Sequence, residues 1–169
     1  MRIAPLFLAL SILTASLAWA ATPAKKPAMG KAEQIIVLKH KRVLVLVRGG
    51  RVLKTYKVAL GLHPAGPKLW EGDGKTPEGI YLVDGRNQAS RYHLSLHISY
   101  PGPADEARAL AAHRSAGGAI MIHGMPNWYS ELTMSMAPDW TSGCIAVSNA
   151  DIEEIWDAVD DGTPIEIRP

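Results

Sequence analysis

The run Gln34-Ile-Ile-Val-Leu-Lys39, Val43-Leu-Val-Leu-Val47, Gly49-Gly50 and Arg51-Val-Leu-Lys-Thr-Tyr-Lys-Val58 decides the fold class. Its first two segments are β-branched and apolar on both faces, the pattern of buried strands. Gly49-Gly50 joins the second to the third as a two-residue hairpin loop, because glycine tolerates the positive φ angles such turns need. Downstream, residues 61–79 form a Gly/Pro-rich loop and Gly79-Ile-Tyr-Leu-Val83 reads as another strand. His93-Leu-Ser-Leu-His-Ile-Ser99 alternates strictly, placing His93, Ser95, His97 and Ser99 on one polar face.

Helices are few. Pro103 to His113 is alanine-rich with Pro at a first helical position, which predicts a short helix. Ser148 can cap a second helix reaching about Asp160, with Ile152, Ile155, Trp156 and Val159 on the face that packs against a sheet. Gly162 is expected to end it, and Pro164-Ile-Glu-Ile167 to close the domain as a strand. Ala119-Ile-Met-Ile122 and Cys144-Ile-Ala-Val147 read as strands on either side of a long loop. The fold class is therefore mainly β with peripheral helices.

At the N-terminus, Arg2 precedes an apolar run from Ile3 to Leu17 and then Ala18-Trp19-Ala20. That is the pattern of a signal peptide over residues 1–20, so the protein is expected to be exported to the periplasm or cell envelope. An uncleaved anchor is the alternative, and the only membrane association foreseen. Residues 21–33 have the composition of a flexible linker, leaving residues 34–169 as the folded domain. The 169 residues suit one core, and 18 basic against 16 acidic side chains offer no basic stripe for nucleic acid. Gly74-Lys75-Thr76 mimics the end of a phosphate loop, but Leu69 stands where its first glycine belongs and Pro77 opposes the required helix. Nucleotide is not an expected partner. His93 and His97 are four apart without the following Glu of a zincin, and one cysteine cannot build a multi-cysteine metal site.

That lone residue, Cys144, follows Thr141-Ser142-Gly143 at a polar turn entering a strand. A buried filler, an intermolecular disulfide and a nucleophile are the readings open to it. A nucleophile needs a base or a cation, because a free thiol is mostly protonated at neutral pH. Of six histidines, His123 ends the apolar run Ile120-Met121-Ile122 and precedes Gly124, placing an imidazole at a strand-to-loop junction. If that strand neighbours the one beginning at Cys144, the two ends can meet.

His123-Gly124, an interval of 17 positions, then Thr141-Ser142-Gly143-Cys144-Ile145 resembles the active-site signature of the L,D-transpeptidase catalytic domain (YkuD) family. Glu71-Gly-Asp-Gly-Lys-Thr-Pro-Glu-Gly79 looks like that family's Thr-Pro-x-Gly segment, and the likeness runs on through Gly162-Thr-Pro-Ile-Glu-Ile167. The resemblance implies a β-sandwich or mixed-sheet single domain, without a cofactor, that attacks peptidoglycan stem peptides through a thioester and passes the acyl group to an amine. It makes Cys144 the nucleophile and His123 its base, with the amides of Gly143 and Cys144 holding the oxyanion. Thr141, or else Ser142, is expected to orient the imidazole or substrate, and a loop hydroxyl satisfying its own backbone is the other reading of Thr141. Gly124, Ser142, His97, Tyr100 and Trp128 are the substrate-binding candidates, and Tyr129 shares the loop of Trp128. One departure is Ala146, where many members carry Arg or Asn. A family branch with a small residue there resembles an enzyme that detaches a lipoprotein from peptidoglycan by hydrolysis, so hydrolysis at a diaminopimelate-containing linkage is the alternative reaction. A non-catalytic wall-binding module is the third reading.

Overall fold

Successive side chains of a strand point to opposite faces, and the N-terminal strands use those faces unequally. In the computed structural model, which describes residues 30–129 and 138–169, β1 (Gln34–Leu38) and β2 (Val43–Arg48) bury Ile35, Val37, Leu44 and Leu46 completely. Ile36, Val43, Val45 and Val47, on the other face, are only half-buried. The expectation of burial on both faces holds for one, because the core forms on the inner side alone. The signal peptide and most of the linker foreseen from the sequence lie outside the described residues.

Gly49 and Gly50 turn β2 into β3 (Arg51–Lys57) with φ of 54° and 70°, angles that carry a cost for any residue with a Cβ. β4 runs from Gly79 to Ser90, well past the expected end at Val83. Register shifts between Val83 and Gly85 and between Asn87 and Ser90 break the period of two, which hid this length. Its first residues pair with β8 (Pro164–Arg168) and the remainder with β5 (His93–Ile98), so one strand serves both halves of the sheet. With β6 (Met121–His123) and β7 (Ile145–Ala146), the strand order is β3-β2-β1-β8-β4-β5-β6-β7. The β1–β8 and β6–β7 pairs are parallel and the other pairs antiparallel. Bridges from Ala59 to Ala146 and from Gly61 to Thr141 then bring the segment after β3 against β7, joining the two ends of that order.

The Pro-initiated helix forms as α1 (Pro103–Ala111), where Asp105 accepts the Gly102 amide at 3.0 Å and the Tyr81 hydroxyl at 3.0 Å. α2 (Asn149–Ala158) is capped by Ser148, whose Oγ accepts the Asp151 amide at 3.1 Å. It ends at Ala158, short of Asp160, because Val159 is already extended, and Gly162 (φ 87°) instead serves the turn into β8. Ile152 and Ile155 are fully buried with Leu60, Leu96, Ile122, Ile145 and Ile165. This mostly β mixed sheet with two helices is the class the sequence indicates.

Candidate active site

β6 and β7 are shorter than the runs 119–122 and 144–147 foreseen for them, and they lie side by side. Ile122 faces Ile145 and His123 faces Ala146, which sets Cys144 level with Met121 and His123 two positions further along. Because the pair is parallel, the two residues approach diagonally and not end to end. At ideal strand spacings the two backbone positions are offset by roughly 6.6 Å along the strands and 4.8 Å across them. Cys144 and His123 line the same cavity, of about 530 Å³.

His123 is buried, and its Nδ1 donates to the Gly124 carbonyl oxygen at 2.7 Å. In the neutral ring this leaves the Nε2 lone pair as the available base. Tyr92 packs on the imidazole with centroids 4.5 Å apart, and Trp140 meets its edge at 5.6 Å. Burial pushes the imidazole below its ordinary pKa, against the opposing pull of the Gly124 hydrogen bond. The half-buried Cys144 Sγ donates to the Ala119 carbonyl at 3.6 Å. Burial raises the thiol, opposed by the Met121 amide and the Lys68 ammonium. Both shifts favour an uncharged resting pair.

The turn before Cys144 is built on Thr141. Its Oγ1 donates to the Cys144 carbonyl at 2.7 Å and accepts the Gly143 amide at 3.1 Å, so this buried hydroxyl braces the loop and not the imidazole. The Gly143 amide, an expected oxyanion donor, is engaged by that bond. Gly143 has φ 134°, and a Cβ there would lie 2.6 Å from the Lys75 carbonyl oxygen. Lys75 and Thr76 belong to the Thr-Pro segment of the sequence, and Thr76 Oγ1 in turn accepts the Gly61 amide at 3.0 Å. That segment supports the turn before Cys144.

Ser142 and Trp128 line the cavity, the latter 66% exposed. Four other candidates stand apart from its walls. Gly124 is buried, and a Cβ there would come within 2.6 Å of Asn149 Oδ1, a matter of backbone packing. Gly143 serves the turn. Tyr100 is buried and donates to the Ala116 carbonyl at 3.0 Å, with its ring edge-on to Tyr81. His97 shares the face of Ser95 but turns its Nδ1 to Asp84. Tyr129, half-buried, is not a wall residue either. Sequence reasoning missed Tyr92 and Trp140. Adjacency to Thr141 was the one signal for Trp140, and none marked Tyr92. No three His, Cys, Asp or Glu side chains gather as a metal site among the described residues, and His93 pairs with Glu153 while His97 pairs with Asp84.

Comparison with known proteins gives the family. Residues 32–167 match the family model for the L,D-transpeptidase catalytic domain, YkuD. An Escherichia coli K12 protein named "Putative L,D-transpeptidase YafK" is 35% identical over 143 residues, covering 80% of this chain and 50% of the relative. The crystal structure of the helical cell shape determining protein Pgp2 from Campylobacter jejuni superposes with TM-score 0.62 and 25% identity, over 86% of this chain and 51% of that one. L,D-transpeptidase 1 of Mycobacterium tuberculosis shares the fold at TM-score 0.52 and 18% identity, over 83% and 63% of the two chains. The chain thus spans about half the length of YafK and of Pgp2.

Proposed function

The chain belongs to the L,D-transpeptidase catalytic domain family, and from that premise we propose that it is an exported cysteine acyltransferase acting on peptidoglycan stem peptides in the cell envelope. Residues 1–20 serve as its signal peptide, 21–33 as a linker and 34–169 as the catalytic domain. The observation that carries the reading is that His123, at the end of β6, and Cys144, immediately before the parallel neighbour β7, open on one cavity, with Nδ1 of the imidazole tied down and Nε2 left as the base.

In this reading His123 Nε2 takes the thiol proton as Sγ bonds to the scissile carbonyl carbon, and the tetrahedral oxyanion turns to the Cys144 amide. The Gly143 amide joins it only by giving up Thr141 Oγ1. The imidazolium then protonates the leaving amine, and its C–N bond breaks to leave a thioester. An acceptor amine gives its proton to the same nitrogen, attacks the thioester and releases the thiol. Ser142 and Trp128 contribute to the peptide-binding wall. The name of the Campylobacter jejuni neighbour, a determinant of helical cell shape, supports a role in remodelling the wall.

Incubating the protein with purified tetrapeptide muropeptides and reading products by mass spectrometry tests this. A thioester adduct on Cys144, followed by a cross-linked dimer or amino-acid exchange, is expected. Shortened peptides without transfer assign the hydrolytic reaction instead, and unchanged substrate alongside binding assigns a wall-binding module. Turnover surviving in Cys144→Ala refutes the nucleophile.

A further inference from the structure

Among the described residues lining the cavity, one carries a formal charge at rest, and it is outside the proposed catalytic pair. Arg91 stands with Tyr92 at the turn from β4 to β5, where Ser90 pairs with His93. Asn127 locks this turn through three hydrogen bonds: its amide donates to Arg91 O at 2.9 Å, its Nδ2 to Ser90 O at 3.0 Å, and its Oδ1 accepts the His93 amide at 2.8 Å. The same turn presents Tyr92 to the imidazole, so the backbone carrying Arg91 is held in register with the catalytic base. Among the described residues, no aspartate or glutamate lines the cavity.

The other arginines sharpen the contrast. Arg42, Arg48, Arg86, Arg108 and Arg168 each pair with a carboxylate, Arg114 lies over the Trp70 ring, and Arg51, unpaired among the described residues, stands at the start of β3 and not on the cavity wall. Arg91 has no side-chain partner among the described residues, although it is on the cavity wall. Ala146, facing His123 across β6 and β7, brings no polar group that would substitute for it. A guanidinium is a rigid fork of donors matched to carboxylate oxygens. Placed on a locked turn, with no competing acid among the described wall residues, it meets the conditions for anion selection at little ordering cost.

We propose that Arg91 is the carboxylate-binding residue of this site, pairing with a free carboxylate of the bound stem peptide and selecting free-acid peptides over amidated ones. The inference rests on the acyltransfer reading above and adds the substrate's charge to it.

The test uses tetrapeptide donors whose carboxyl groups are converted to carboxamides one at a time, with kcat/KM for acylation of Cys144 as the readout. The wild-type protein is expected to lose about tenfold to a hundredfold with one of these amides, the range of a charge-assisted hydrogen bond. In Arg91→Gln the ratio of free acid to that amide falls to about one, and Arg91→Lys restores part of it. Thermal melting of both variants checks that the fold is kept, as expected for an exposed side chain with no partner. Equal acylation by every donor, or a preference that survives in Arg91→Gln, overturns the role of Arg91 and leaves acyltransfer standing. Failure of all donors to acylate Cys144 removes both.

Discussion

Burial acts on the proposed base and nucleophile, His123 and Cys144, in opposite directions, and the consequence is expected in pH profiles. An imidazole whose charged form is penalised stays neutral to lower pH than a free histidine, near 6.5. Since the base must be neutral to accept the thiol proton, the acid limb of kcat/KM is expected below that value. The thiol is shifted upward, so the rate of Cys144 alkylation by iodoacetamide in the resting protein should rise to its half-maximum above about 8.5, the range of a free cysteine. A plateau already reached at pH 6 would mean a preformed thiolate–imidazolium pair and refute the neutral one. Thr141→Val removes the donor to the Cys144 carbonyl and leaves the Gly143 amide without its acceptor. Loss of about 1–3 kcal/mol is expected in urea denaturation, with Thr141→Ser recovering most of it. An unchanged midpoint in the valine variant would contradict the bracing role.

Among elements, the turn before β7 is the most demanding. Gly143→Ala must hold a positive φ and push a methyl group against the Lys75 carbonyl. A penalty of about 1–3 kcal/mol is expected, with acylation slowed more than the stability loss accounts for. Calorimetry beside single-turnover kinetics checks it, and equal fractional losses would count against a site-specific effect. The same turn marks where sequence reading ends. Hairpin glycines, the alternation of β5, the Ser148 cap and the spacing from His123 to Cys144 were all legible, because each is a local pattern with a local cause. The length of β4 was not, since its register shifts interrupt the alternation that reveals strands. The engagement of Thr141 with its own loop was one of two readings the sequence left open, and only the way four consecutive residues fold back on one another decides between them. Tyr92 came to the site by pairing between distant strands, for which sequence carries no local mark.

Over the whole molecule, the buried Lys39 ties the end of β1 to the loop behind the nucleophile, donating to Gly66 O at 2.7 Å, Thr76 O at 2.9 Å and Glu78 Oε1 at 2.8 Å. Lys39→Met strands these acceptors and is expected to cost about 3–5 kcal/mol in urea denaturation. Glu78→Gln should cost less, because the two carbonyl bonds remain. A Lys39→Met midpoint within error of wild type would rule out the tie. Order of strands was the least legible property, since the bridges of Ala59 and Gly61 to β7 and its approach join segments some 80 residues apart in the chain.

Those bridges also govern when reactivity arises. The turn that presents Cys144 leans on residues 61–76, its base comes from β6, and the ring against that base comes from the β4–β5 turn. A growing or half-folded polypeptide therefore carries a thiol of ordinary acidity with no imidazole held beside it. In the reading proposed above, closure of the sheet supplies that base, and a chain that never completes it has nothing positioned to take the thiol proton.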